Sequence, residues 1–158
     1  MEKQDCIIRI AEDNDFQGII GLLVQLIPND PSITDGTNRV VFDQILQDPN
    51  LHYFVLALDG KIISTCYLNI IPNLAIYASP YGVIENVITD AAMRGKGYGK
   101  QLMLFALKHA WQAGCHKVML QSAAFREDAH RFYEDCGFNP REKIAFIARY
   151  RVAKHSQV

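Results

Sequence analysis

The stretch Met93-Arg94-Gly95-Lys96-Gly97-Tyr98-Gly99-Lys100 separates two apolar runs of different length. Before it, Tyr81 to Thr89 reads as a strand; after it, Tyr98 to Ala113 reads as a long helix. Glycine lets a backbone turn sharply and approach a ligand closely. A turn that opens directly into a helix points several unpaired N–H groups at one place. The helix dipole adds partial positive charge there, so the junction is an anion site, and phosphate is the usual anion. Arg94, Lys96 and Lys100 add further positive charge.

Two common phosphate motifs are excluded by spacing. A Walker A loop requires G-x-x-x-x-G-K-[ST]; here Gly95 and Gly99 are one residue too close, and Gln101 follows Lys100. A dinucleotide fingerprint requires G-x-G-x-x-G, whereas Gly95, Gly97 and Gly99 give G-x-G-x-G. The pattern present is Arg-x-x-Gly-x-Gly, from Arg94 to Gly99.

Around this loop the chain has 158 residues, enough for one domain over 1–158 with its core at about 7–152. With 49% hydrophobic and 21% charged residues the composition is that of a soluble globular protein. A net charge of −1 gives no general attraction to nucleic acid or to an anionic membrane. The run Ile62 to Ile71 is too short to span a bilayer and is broken by Ser64, Thr65 and Asn69. The polar start Met1-Glu2-Lys3-Gln4-Asp5 is unlike a signal peptide. Cys6, Cys66, Cys115 and Cys136 are spread without a C-x-x-C pair, which points to reduced, mostly buried thiols in a cytoplasm and to no metal site.

In chain order, Cys6 to Ile10 is a strand ending at Glu12-Asp13-Asn14-Asp15. Asn14 with Gln17 three residues on marks a helix start, and Phe16, Ile19, Ile20, Leu23, Leu26 and Ile27 fall on one helical face. Pro28-Asn29-Asp30-Pro31 stops that helix. A shorter helix holds Val41, Phe42, Ile45 and Leu46, and the flexible loop before it, Asp30 to Asn38, is placed to lie over a substrate cleft. Tyr53 to Leu58 and Lys61 to Ile71 are strands joined by the hairpin turn Asp59-Gly60. A looser loop, Pro72 to Pro80, leads to the central strand. The long helix buries Leu102, Met103, Ala106, Leu107 and Ala110 and ends at Gly114. Lys117 to Gln121 is a short strand, Arg126 to Cys136 a helix capped by Gly137, and Ile144 to Val152 a last strand. The hairpin requires an antiparallel pair, and the strand–helix–strand step around the glycine loop requires a parallel one. The fold class is therefore α/β, a mixed sheet with helices on both faces.

Three blocks in this order resemble the GNAT N-acetyltransferase superfamily. They are the central strand Ile84-Glu85-Asn86-Val87-Ile88-Thr89-Asp90, the Arg94 to Gly99 loop, and Ala129-His130-Arg131-Phe132-Tyr133-Glu134-Asp135-Cys136-Gly137-Phe138, similar to the family's A-x-x-F-Y-x-x-x-G-F block. The resemblance implies a fold whose central strands splay and hold CoA in the gap. It implies that Arg94, Gly95, Lys96, Gly97, Tyr98, Gly99 and Lys100 bind the acetyl-CoA pyrophosphate. It implies that the backbone of Val87, Ile88 and Thr89 binds the acetyl carbonyl and pantetheine. One departure is that Arg126 stands three residues before Ala129, where many members carry Asn; Arg126 is then a candidate for a CoA phosphate.

Acetyl transfer from a thioester to an amine has three needs. The amine must be neutral, yet alkylamines have a pKa near ~10.4. The tetrahedral oxyanion needs donors. The leaving thiolate benefits from a proton, since a thiol has a pKa of about 8.5. Glu85 is the lone acid in the apolar central strand and a candidate base, directly or through water; alternation places it on the face of Val83 and Val87 unless a bulge intervenes. The competing assignment is a structural ion pair. Tyr133, by its place in the family block, is a candidate acid for the thiolate, against a purely packing role. His109, His116 and His130 read as surface residues, and His52 opens a strand. Cys66 and Cys136 read as buried residues, since direct transfer needs no acyl-cysteine. Leu104, Phe105 and Trp111 widen the long helix's apolar face and leave room for a homodimer.

The expected function is an acetyl-CoA-dependent N-acetyltransferase acting on a primary amine of a small molecule, with no metal, nucleic-acid or membrane partner. The alternatives are a non-catalytic acyl-CoA sensor on the same fold and a protein N-acetyltransferase, which would need an open groove for an extended peptide. The acceptor itself is not named by these residues.

Overall fold

The computed structural model describes residues 5–150. Its order is β1 (Cys6–Ile10), α1 (Phe16–Leu26), α2 (Ser32–Asp35), α3 (Thr37–Gln47), β2 (Leu51–Leu58), β3 (Lys61–Ile71), α4 (Ala75–Ala78), β4 (Tyr81–Thr89), α5 (Tyr98–Gln112), β5 (Val118–Leu120) and α6 (Glu127–Asp135); α4 is a single left-handed turn, with Ile76, Tyr77 and Ala78 at φ 52°, 58° and 55°. The five strands form one sheet in sequence order, antiparallel from β1 to β4 and parallel between β4 and β5. The expected mixed sheet is therefore present. Asp59 and Gly60 both have positive φ, 48° and 79°, which makes the β2–β3 turn a primed type whose twist suits the hairpin.

The sheet is covered on both faces. On one, Phe54, Cys66, Leu68 and Ile84 pack on Leu102, Met103, Ala106 and Ala110 of α5, with Phe132 and Tyr133 of α6 at the margin. On the other, Ile19 of α1 and Phe42 and Ile45 of α3 pack on Tyr53 and Val55, with Tyr67 at the margin. Strands β2 and β3 are thus covered on both sides, and β2 reads as a nearly continuous apolar run for that reason.

Three expectations are revised. The first helix starts not at Asn14 but after a 3₁₀ turn over Asp13–Asp15. Asp15 is buried, and its carboxylate accepts from the Glu12 N–H at 2.7 Å and from Arg9 at 2.5 and 3.0 Å. This partnering outranks the Asn14–Gln17 pattern. The stretch Asp30 to Asn38 is not a free loop: it contains α2, tied by Ser32 N–H to Asp30 at 3.0 Å and by Ser32 Oγ to Asp30 and Asn38 at 2.7 and 3.1 Å. The strand expected from Ile144 to Val152 is absent through Tyr150, and residues 151–152 lie outside the described residues. A strand needs a ladder partner. Among the described residues β5 offers only three residues and pairs only with β4, so Ile144, Phe146, Ile147 and Tyr150 remain exposed.

Candidate active site

The parallel ladder between β4 and β5 has only three pairs, Gly82 with Val118, Val83 with Met119 and Ile84 with Leu120. β4 continues to Thr89. From Glu85 onward, among the described residues, the edge of β4 that faces β5 has no strand beside it. Here the two strands splay, and backbone N–H groups are left for a ligand.

The same segment carries a β-bulge on its other edge. Tyr67 opposes Glu85 and Thr65 opposes Ile88, so Asn86 and Val87 together face the single residue Cys66. Asn86 lies in the left-handed region at φ 52°. The extra residue breaks the alternation expected for Glu85. Glu85, opposite Tyr67, stands on the face covered by α1 and α3, while Val87 packs into the α5 core. Glu85 and Val87 therefore occupy opposite faces of the sheet, a correction to the unbroken period-two reading. Asn86 donates from Nδ2 to the Tyr53 hydroxyl at 3.1 Å, and the Tyr53 ring stacks on Tyr67 at 4.7 Å and 15°.

The end of β4 is held from beneath. The Ser64 hydroxyl, fully buried, donates to the Ile88 carbonyl at 3.1 Å and lies 2.8 Å from the Thr89 hydroxyl. Arg94 Nε returns to the Thr89 carbonyl at 3.0 Å, closing the loop on the strand end. Gly95 and Gly97 have φ of 75° and 83°, where other residues are strained. Gly97 is the helix N-cap and supplies no side chain to satisfy the first turn. The first intrahelical bond runs from the Gln101 N–H to the Gly97 carbonyl, leaving the N–H groups of Tyr98, Gly99 and Lys100 to face outward. Gly99 is required for close approach, since a Cβ there would stand 2.9 Å from the Thr89 hydroxyl. Arg94, Lys96 and Lys100 are exposed and, among the described residues, enter no ion pair. Unpaired N–H groups, glycine curvature and free cations fit a pyrophosphate.

On α6, Tyr133 packs edge-on to Phe132 at 5.2 Å and to Phe138 at 6.2 Å. Burial pushes its phenol above the ordinary tyrosine range; Arg126 pulls the other way, and the Glu85 carboxylate adds a small upward push. Arg126 is exposed at the N-cap of α6. Glu85 is exposed and, among the described residues, has no ion-pair partner. Cys66, fully buried, has its thiol pushed up to about 12 by desolvation, which suits a packing role. Cys115 and Cys136 are also buried and Cys6 is exposed, in keeping with the expectation of mostly buried thiols.

His109 is not a free surface residue: it meets His52 at 4.5 Å and Phe54 at 5.1 Å, and desolvation holds both imidazoles below their usual pKa. A cavity of about 640 Å³ lies beside this pair, lined also by Ile70, Pro72, Leu74 and Pro80. It sits at the far end of β3 from Ser64, about 20 Å away at strand rise, and is separate from the glycine loop. Asn86, Tyr53, Tyr67 and Ser64 were not singled out from sequence; an Asn within an apolar strand is the one signal that pointed to the bulge. No group of three or more His, Cys, Asp or Glu suited to a metal occurs among the described residues. No helix among them is long and apolar enough to cross a membrane.

Known proteins share this chain's family and fold. Residues 7–138 match the model of the Acetyltransferase (GNAT) family. The aminoalkylphosphonate N-acetyltransferase of Salmonella typhimurium is 31% identical over 131 residues, covering 81% of each chain. The glucosamine 6-phosphate N-acetyltransferase of Arabidopsis thaliana is 32% identical over 136 residues, 84% of this chain and 89% of that one. Its crystal structure superposes with a TM-score of 0.79 over 92% of this chain and 98% of that chain. An aminoglycoside N-acetyltransferase solved with CoA, 21% identical over 94% of this chain and 97% of that one, shares the fold with a TM-score of 0.81.

Proposed function

Because the chain belongs to the GNAT acetyltransferase family and is an acetyl-CoA-dependent N-acetyltransferase, we propose that it moves the acetyl group directly to a primary amine of a small molecule at the splayed end of β4. The observation that carries this is the juxtaposition of the free edge Glu85–Thr89 with the open N-terminus of α5. The loop Arg94 to Lys100 holds the pyrophosphate, and Arg126 reaches a further phosphate from α6. The backbone of Val87, Ile88 and Thr89 receives the pantetheine and the acetyl oxygen.

The amine arrives as an ammonium. Glu85, directly or through water, takes one proton, and the neutral nitrogen attacks the thioester carbonyl. The C–N bond forms as the carbonyl opens to a tetrahedral oxyanion; the C–S bond breaks as that adduct collapses, and the nitrogen gives its second proton to water. Negative charge on oxygen meets the β4 N–H groups. Charge on sulfur is met by a proton from Tyr133, whose desolvated phenol retains it at neutral pH; solvent then returns that proton.

Two relatives named for their acceptors act on aminoalkylphosphonate and glucosamine 6-phosphate. Both are small amines with a phosphonate or phosphate, and such compounds are the first to test. Free thiol release from acetyl-CoA is measured across a panel of aminophosphonates, amino-sugar phosphates, polyamines, aminoglycosides and lysine peptides. Release stimulated by a small amine, with acetylated product confirmed by mass, supports the proposal. Release stimulated only by peptides, or by none of the panel, overturns it.

A further inference from the structure

The bulge at Asn86 is an unfavourable way for an apolar strand to run. A non-glycine residue at φ 52° sits in the left-handed region, which Asn tolerates better than most but not as readily as Gly. Strain of this kind persists only where the surroundings over-determine it. Here the surroundings are identifiable. The Asn86 amide donates to the Tyr53 hydroxyl at 3.1 Å. Tyr53 is 7% exposed and clamped between Tyr67, at 4.7 Å and nearly parallel, and Phe42, at 6.1 Å. The hydroxyl is thus fixed by packing from β3 and α3, and it fixes Asn86 in turn.

We propose that the Asn86–Tyr53 hydrogen bond is the latch that holds the β4 bulge in register, making Tyr53 and Asn86 positioning residues for acetyl transfer. The inference rests on the proposed function in one respect, that the N–H of Val87 receives the acetyl oxygen. N–H groups lie in the plane of a sheet and alternate between a strand's two edges. The Asp90 N–H donates to the Ile63 carbonyl at 2.8 Å, so the Ile88 N–H, opposite Thr65, also faces β3 and that of Val87 faces the free edge. The extra residue at the bulge sets which of these groups reaches the free edge. Neither Tyr53 nor Asn86 contributes to the glycine loop, so the latch acts at the acetyl end of the donor, where charge builds in the transition state, and leaves the hold on the pyrophosphate alone.

The test is a cycle of four proteins: wild type, Tyr53→Phe, Asn86→Gly and the double variant. Phe keeps the ring stacking and removes only the hydroxyl. Gly adopts positive φ freely and needs no latch. Tyr53→Phe should lower kcat by roughly 3- to 10-fold, the worth of one hydrogen bond, with the KM for acetyl-CoA near that of wild type. In the Asn86→Gly background the same substitution should bring no further loss. Hydrogen exchange at Ile88 and Asp90, whose N–H groups face β3, is read in all four proteins and requires no turnover; it should quicken with Tyr53→Phe in the Asn86 background alone. Equal kcat losses in both backgrounds would show that the hydroxyl acts on substrate or through packing, and would overturn the latch. So would unaltered exchange in Tyr53→Phe. Should the wild type turn over no amine while exchange follows the expected pattern, the latch stands and the assignment of the acceptor site fails.

Discussion

Substituting Gly99 by Ala puts one methyl group against the tightest contact at the junction of strand and helix. The added Cβ would stand 2.9 Å from the Thr89 hydroxyl and 3.5 Å from the Phe132 ring. The ring contact is ordinary; the hydroxyl contact is about half an ångström too short. The hydroxyl cannot swing away freely, because it lies 2.8 Å from the buried Ser64 Oγ. Either that hydrogen bond breaks or the first turn of α5 recedes from β4. Overpacking of this kind costs about 1–3 kcal/mol. Alanine's better helix propensity returns up to about 1 kcal/mol. The net expectation is a loss of about 1–2 kcal/mol, a fall of roughly 2–8 °C in Tm for a chain of this size.

Recession also moves the N–H groups of Tyr98, Gly99 and Lys100, so affinity for CoA should fall together with stability. Thermal unfolding and calorimetric titration with CoA measure the two effects. The contact predicts a rescue: in a Thr89→Ala background the clash is gone, and Gly99→Ala should then be neutral or mildly stabilising. A Gly99→Ala protein with unchanged Tm and unchanged CoA affinity would refute the close approach. A penalty that survives in the Thr89→Ala background would show that some contact other than the Thr89 hydroxyl causes it.

Other consequences are as specific. Glu85→Gln keeps the shape and removes the base, so kcat at neutral pH should fall roughly 10²- to 10⁴-fold and recover in part as pH rises and more amine is neutral; a wild-type pH–rate profile would remove Glu85 from the reaction. Tyr133→Phe should leave CoA affinity nearly intact while lowering turnover, less so with an acyl donor whose thiol is more acidic; equal losses for both donors would mark Tyr133 as a packing residue. For Asp15, burial raises the carboxyl's pKa, but the hydrogen bonds from Arg9 and the Glu12 N–H outweigh it and hold it below the usual 3.8. Its contribution is therefore complete above about pH 4 and lost as pH falls through the depressed folded value. Asp15→Asn should lower stability near neutrality by about 2–3 kcal/mol, discounted because the Arg9 side chain is 35% exposed, and should flatten the acid limb of the unfolding curve. An acid limb unchanged by the substitution would contradict this.

Much of the architecture was legible because its signals are local. The hairpin at Asp59-Gly60 has the positive-φ pair that its dipeptide foretells. The glycine loop lies between the strand and helix that flank it in sequence, with β4 bounded as expected at Tyr81 and Thr89. What escaped the sequence depends on partners far along the chain. The 3₁₀ start at Asp13–Asp15 follows from Arg9, on β1, reaching Asp15. His109 lost its surface assignment because β2 brings His52 and Phe54 against α5. Apolar alternation between Ile144 and Tyr150 predicted a strand, but propensity does not supply the neighbouring edge a strand requires.

The catalytic segment was misread for a related reason. Strict alternation from Val83 puts Glu85 and Val87 on one face, and a carboxylate and the acetyl-binding N–H groups would then be built from a single side of the sheet. The bulge separates them: the carboxylate faces the α1/α3 side, while Val87 anchors its backbone in the α5 core. Two substrates of different character can then approach one segment from opposite sides. In the proposed reaction CoA approaches from the α5 side along the glycine loop, and the amine past Glu85 beside Tyr67. The two meet at the free edge of β4, where the ladder to β5 has stopped at Ile84. In the proposed reaction the one extra residue in β4 thus sets which face carries the base and which anchors the segment that supplies the oxyanion donors.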